Sequence, residues 1–228
     1  MTPKTLHHIV GPVINPIVKR CLDSWKDLKK HGFCIRVWND QDIQRFISQH
    51  YPFALQAVLQ ARNHAEAADI ARYLIVYHFG GYYFDWDIQL LDKDLFLKLA
   101  KEQKNGFLLR DAFDESIASE AFSAIKGELY LLRIVQEIVE AFQTGEREKM
   151  MTLKYSGPLR MRDVLRRFNT NQQVLKVKEV FLYDYQEITK MPEREITVPM
   201  IHYWLHSWLP KKDICTNEVE TVATELIQ

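Results

Sequence analysis

Charge of one sign is missing from this chain. Its 30 Lys and Arg residues cancel 30 Asp and Glu residues, so no global field marks it as a nucleic-acid binder. Long hydrophobic runs are missing too. No window approaches the ~20 apolar residues of a membrane span, and Met1 to Val10 has no apolar stretch of signal-peptide length. Cysteine is scarce: Cys21, Cys34 and Cys215 are odd in number and lack metal-ligand spacing. That argues against a disulfide framework and for free thiols in a reducing compartment. A cytoplasmic protein is the expectation. Internal repeats, low-complexity segments and any linker rich enough to separate domains are also absent, so residues 1–228 read as one domain.

What is present is enough apolar material for one sizeable core, 47% of 228 residues. Leu6 to Val10 reads as a short buried strand. Asn15-Pro16 reads as a helix start, with Asn as cap and Pro in the first turn, and helical spacing runs from Ile14 through Trp25 and Leu28 to Gly32. Phe33 to Trp38 is a second strand, and Asn39 caps a second helix through Ile47. Pro52 opens another helical stretch, and Ala67, Ile70, Ala71, Leu74 and Tyr77 form an apolar stripe before Gly80-Gly81. This alternation predicts an α/β fold with parallel strands. Further along, Gly106 to Arg110, Ala118 to Ile125, Glu179 to Tyr183 and Val198 to Trp204 read as strands. Leu129 to Phe142, Ser156 to Phe168 and Thr216 to Ile227 read as helices.

The chemistry gathers after Gly80-Gly81, where Tyr82-Tyr83-Phe84 leads into Asp85-Trp86-Asp87. On an extended backbone the two carboxylates share one face and Trp86 turns the other way, toward the core. Carboxylates this close repel, and a divalent cation converts that cost into a holder for phosphate oxygens. Taken alone, Asp-x-Asp is equally a solvated turn. Between Lys149 and Lys178, eight basic residues face Asp163 alone. The stretch reads as a solvated helix face or as a patch for membrane phosphates.

The run Ala68-Asp69-Ile70-Ala71-Arg72-Tyr73, followed by Gly80-Gly81-Tyr82-Tyr83-Phe84-Asp85-Trp86-Asp87, resembles the signature of glycosyltransferases with a DXD sugar-binding region. That group includes fungal initiating mannosyltransferases, capsule and lipopolysaccharide sugar transferases, and glucosylating toxins. Pro3 to Ile9, Trp25, Trp38-Asn39-Asp40, Ser156-Gly157-Pro158 and His202 to Trp208 resemble the flanking landmarks in order. The resemblance implies a GT-A type, Rossmann-like, mainly parallel sheet flanked by helices. It also implies a retaining, metal-dependent hexosyltransferase using a nucleotide-sugar donor, with manganese as cofactor and magnesium as the alternative. The acceptor would be a glycan or lipid-linked saccharide in surface polysaccharide biosynthesis, met at the inner face of a membrane. Asp87, Asp85 and His202 would hold the metal. Asp69, Arg72, Tyr73, Asp85, Ser207 and Trp208 would bind the donor, with Asp85, Asp87 and Arg72 as the catalytic set.

Two positions depart from the pattern. Val10 stands where the family places a Trp able to stack on a nucleobase, and His206 replaces a small residue. They keep open a non-catalytic nucleotide-sugar or carbohydrate-binding module, and the toxin branch keeps open a protein-modifying transferase. His7 and His8 sit at a strand end near the expected nucleotide. Asp111, Asp114, Glu115 and Glu120 lie on a segment able to face the sugar. No residue among them is an unambiguous nucleophile, so front-side attack within an ion pair is expected.

Overall fold

The computed structural model describes residues 1–111 and 115–205. The chain opens with β1 (Thr5–Ile9), α1 (Pro16–Ser24) and β2 (Cys34–Trp38), followed by α2 (Asp40–His50), α3 (Leu55–Leu59) and α4 (His64–Phe79). Next come β3 (Gly81–Phe84), β4 (Ile88–Leu90), α5 (Lys93–Glu102), β5 (Phe107–Arg110), β6 (Ala121–Ala124) and α6 (Leu129–Gln143). The described residues close with α7 (Thr152–Tyr155), α8 (Pro158–Leu165), β7 (Gln173–Lys176) and β8 (Met200–His202). The central sheet has the order β2-β1-β3-β6. β1 runs parallel to both β2 and β3, while β6 is antiparallel to β3. The parallel strands are those the alternation of elements predicts, and the mainly parallel sheet flanked by helices is the one the resemblance implies.

Local chemistry explains the starts. Asn15 Oδ1 accepts the Val18 N–H at 2.8 Å and Asn39 Oδ1 accepts the Asp42 N–H at 3.0 Å, satisfying donors that a helix start leaves orphaned. The first helix does not run on to Gly32, however. It passes at Trp25 into a 3-10 turn over Lys26–His31, which Gly32 closes at φ 83°.

Side-chain alternation along β3 sorts the core. Tyr83 faces the layer built by α4 and α6, whereas Tyr82 and Phe84 face Trp25, Phe33, Phe96 and Phe107 on the opposite side. α4 is not a one-striped helix. Ten of its residues, Glu66, Asp69 and Arg72 among them, are buried, because α3 and α6 cover the faces the sheet leaves free. The tight passage at Gly81, with φ 108°, lets the chain lie where a Cβ would come within 2.3 Å of the Thr5 carbonyl oxygen. β1 and β3 are thereby held in register.

Other differences from the sequence reading are non-local. β4 pairs antiparallel with β8, and β7 pairs parallel with β5; neither β4 nor β7 has a pattern that stands out. Residues 179–183 make one bridge, Phe181 to Met200, rather than a strand. α8 stops at Leu165, and α5, capped by Asp92 Oδ1 on the Asp94 and Leu95 N–H groups, is an element the sequence reading passed over. The predicted helix over Thr216 to Ile227 lies outside the described residues. Among those residues, no helix is long and apolar enough to cross a membrane.

Candidate active site

The two aspartates do not sit on an extended strand. β3 ends at Phe84, and Asp85 to Asp87 form a turn in which the Ile88 N–H donates to the Asp85 carbonyl at 3.2 Å. The turn emerges at the carboxyl end of the parallel strands, the edge where open α/β sheets place their ligands. Trp86 does not enter the core as an extended backbone would require. It is half-buried, with its ring over Gly11 and stacked on His64 at 6.4 Å between centroids.

Asp87 is the more enclosed carboxylate. Its Oδ1 lies 3.3 Å from His202 Nε2, its Oδ2 accepts the Leu205 N–H at 2.9 Å, and its carbonyl accepts the Tyr203 N–H. β8 delivers His202 by pairing with β4, with Ile88 opposite His202. Burial opposes ionisation of Asp87, but the imidazole and the Leu205 N–H outweigh it and hold its pKa below the usual carboxylate range. Burial also disfavours a charged His202, and Asp87 reverses that to raise its pKa. The two shifts describe one ion pair.

Asp85 is a quarter exposed. Its Oδ1 accepts the Tyr83 hydroxyl at 2.7 Å and lies 3.3 Å from Arg72 Nη2. Burial raises its pKa despite Arg72, and repulsion from Asp87 adds to the rise. Arg72 itself is only 5% exposed. Its guanidinium donates to the Ala68 and Ser119 carbonyls at 3.4 and 2.8 Å, lies 3.4 Å from Asp69 Oδ1, and sits over the Tyr83 ring at 4.8 Å. The residue expected on the diphosphate therefore spends its planar fork inside the fold, ordering Asp69 and Asp85. Asp69 accepts the Ser156 hydroxyl at 2.7 Å, and burial pushes its pKa up to about 6. Tyr73, expected on the donor, is fully buried and donates its hydroxyl to the Ser156 carbonyl at 2.9 Å.

Asp85, Asp87 and His202 each offer one ligand atom, and these atoms lie within 4.8 Å of one another. Two carboxylates and an imidazole suit manganese and magnesium-like cations. His202 Nδ1 is moreover a buried nitrogen with no hydrogen-bond partner. The residues present fit a divalent cation.

His7 and His8, weighed as nucleotide contacts, are instead fully buried, His7 against Trp38 and Phe79 on one face of the sheet and His8 against Trp25 on the other. Val10 is buried as well, with its N–H on the Trp38 carbonyl. Ser207, Trp208 and His206 lie outside the described residues, as does Asp114. Glu120 does reach the site. Its carbonyl accepts the Asp85 N–H at 2.9 Å, and burial raises its carboxyl pKa against the pull of His202 and Arg72. The sequence names it only as one of four acids, since nothing local tells which of them β6 carries toward β3. Of the basic stretch, Arg160 and Arg167 pair with Glu137, Arg162 and Arg166 with Asp163, and Lys178 with Glu187. Lys149, Lys154 and Lys176 have no carboxylate partner among the described residues.

Residues 16–104, which carry Asp69, Arg72, Asp85 and Asp87, match the family model described as a glycosyltransferase sugar-binding region containing a DXD motif. The likeness is to that region, and it takes in the paired aspartates together with the helix that precedes them. Inositol phosphoceramide mannosyltransferase 3 of Schizosaccharomyces pombe is 28% identical over 145 residues, covering 62% of this chain and 37% of that protein. Mannosyl phosphorylinositol ceramide synthase CSH1 of Saccharomyces cerevisiae is 23% identical, covering 62% of this chain and 35% of that protein. The chain thus spans about a third of the length of these curated relatives. Among solved structures, the PaToxG glycosyltransferase superposes with a TM-score of 0.52 at 17% identity, covering 73% of this chain and 69% of that one. At that identity the likeness shows a shared fold alone.

Proposed function

We propose that this protein is a metal-dependent glycosyltransferase that moves a hexose from a nucleotide-sugar donor to a glycan or lipid-linked acceptor. The observation that carries the reading is the convergence of Asp85, Asp87 and His202 within 4.8 Å at the sheet's ligand edge, in a chain that matches the glycosyltransferase DXD region over residues 16–104. Asp87, His202 and Asp85 would together hold the metal. When bound there, a divalent cation, manganese first, would supply positive charge toward the leaving nucleoside diphosphate. Asp69, aligned by Ser156 and Arg72, accepts from sugar hydroxyls. Arg72 acts through Asp69 and Asp85, its charge favouring the ionised form of each against the desolvation that opposes it. Trp86, half-buried and stacked on His64, supplies the aromatic face for the nucleobase that Val10 lacks. Retention follows from front-side attack, with Glu120 the carboxylate placed to steady the positive charge that develops on the sugar ring.

The names of the relatives favour mannose as the sugar and a phosphoinositol-bearing lipid as the acceptor, ahead of a capsular or lipopolysaccharide chain. A cytoplasmic protein meeting its acceptor at a membrane surface belongs to the same proposal. Lys149, Lys154 and Lys176 are the basic groups free to face anionic lipid.

The test is release of nucleoside diphosphate from a panel of nucleotide hexoses, with and without manganese, by the wild type and Asp87→Ala. Manganese-dependent release by the wild type alone is expected. Equal release by both proteins for every donor would overturn the reading.

A further inference from the structure

Between the end of β3 and the start of β4 the chain must hold two mutually repelling carboxylates in one geometry, and the turn's own Ile88 to Asp85 hydrogen bond is weak support at 3.2 Å. Two side chains from elsewhere seize its ends. The His8 ring, on β1, hydrogen-bonds the Phe84 carbonyl at 2.9 Å through Nδ1. Since a carbonyl only accepts, Nδ1 carries the proton. Trp25, just past α1, donates its Nε1–H to the Ile88 carbonyl at 2.9 Å. One bond precedes Asp85 and the other follows Asp87. The two rings are neighbours, 5.6 Å between centroids, and Trp25 stacks on Phe84 at 4.7 Å. Both side chains are fully buried. His8 Nε2 has no partner, so the bond to the turn is the ring's whole polar role. Ser24, the residue before Trp25, accepts the Leu90 N–H at 2.9 Å and extends the same grip into β4.

We infer that His8 and Trp25 are positioning residues that clamp the Phe84 to Ile88 turn from beneath, setting the spacing of Asp85 and Asp87. Neither touches a carboxylate, so both act through the backbone. The functional consequence rests on the reading of these aspartates as metal ligands. Outer groups that orient metal ligands typically change affinity by about 10- to 100-fold when removed.

The test uses four variants of the whole chain, with two readouts: amide hydrogen exchange at Asp85 and Ile88, and manganese affinity by electron paramagnetic resonance. Trp25→Phe keeps an aromatic ring and loses the donor. His8→Leu loses its donor, while His8→Asn keeps an N–H at the δ position. Phe96→Leu disturbs the same aromatic cluster, where Phe96 meets Trp25 edge-on at 5.5 Å, without touching the turn's hydrogen bonds. Trp25→Phe and His8→Leu are expected to speed exchange at the turn and weaken manganese binding roughly 10-fold. His8→Asn and Phe96→Leu are expected to stay close to wild type in both, although Phe96→Leu melts lower. Manganese affinity that falls no further in Trp25→Phe and His8→Leu than in Phe96→Leu overturns the inference. If the wild type binds no manganese yet exchange at the turn answers to both clamp variants, the metal reading fails and the clamp stands.

Discussion

Replacing Arg72 with methionine tests how the site is held together. The side chain keeps an unbranched apolar stem but loses the guanidinium that lies 3.4 Å from Asp69 and 3.3 Å from Asp85 at 5% exposure. Buried Asp69 and partly buried Asp85 are then left without their cation, and the Ser119 carbonyl loses a 2.8 Å donor. Removing one partner of a buried ion pair typically costs about 3–5 kcal/mol, a large share of the ~5–15 kcal/mol that holds a domain folded. The cost depends on pH with a definite sign. Asp69 has a folded pKa of about 6 against an ordinary 3.8, and loss of Arg72 raises it further. A carboxyl with a raised folded pKa destabilises fully above that value and is relieved as pH falls through it. Urea unfolding of wild type and Arg72→Met in parallel, at pH 7.5 and 5.5, cancels the titrations they share. The loss at pH 7.5 is expected to shrink by at least about 1 kcal/mol at pH 5.5. The double variant Arg72→Met/Asp69→Asn is expected to recover some of it. A loss below about 1 kcal/mol at pH 7.5, or one that ignores pH, refutes the buried-cation account.

Burial lowers the pKa of His7 and of His8 to about 4. Their stabilising contribution is therefore present above about 6.5 and is lost as pH falls toward 4, about 2 kcal/mol per ring by pH 5. His7 Nε2 lies 3.0 Å from the Gly80 carbonyl; His7→Gln keeps a donor there and is expected to flatten the acid limb of the stability curve by that amount, read from unfolding at pH 7 and 5. Gly81→Ala forces a Cβ to 2.3 Å from the Thr5 oxygen at φ 108°, with an expected loss of about 3 kcal/mol or more. Gly145→Ala, at φ 74° with open space around it, is expected to cost about 1–2 kcal/mol; equal melting shifts for the two would contradict the close approach of β1 and β3. Ser156→Ala removes the 2.7 Å hydroxyl from Asp69 and is expected to cost about 1.5–3 kcal/mol. Carbon-detected titration of the Asp69 carboxyl should show its pKa moving up from about 6; an unmoved value would sink the assignment.

The amino-acid order alone determined what depends on neighbours in the chain. Asn15-Pro16 and Asn39-Asp40 announce helix starts because capping is a bond across three residues, and both caps form. The break at Gly80-Gly81, the aromatic strand behind it and the paired aspartates are equally local, and so is the resemblance they carry. What only the tertiary structure decided is everything that spans long separations. His202 reaches Asp87 because β8 happens to pair with β4, and no pattern within three-residue strands encodes a partner more than a hundred positions away. Arg72 and Asp69 read as donor-binding groups on a striped helix, yet α4 is enclosed by α3, α6 and the sheet. Desolvation inside that enclosure turned the arginine toward its own aspartates. Asp85 and Asp87 read as residues on an extended backbone, but the chain turns there, since Asp85 is drawn to the Glu120 carbonyl and Ile88 folds back onto Asp85. Side-chain chemistry is written in the chain, whereas which groups lose their water together is settled only when distant segments close over them.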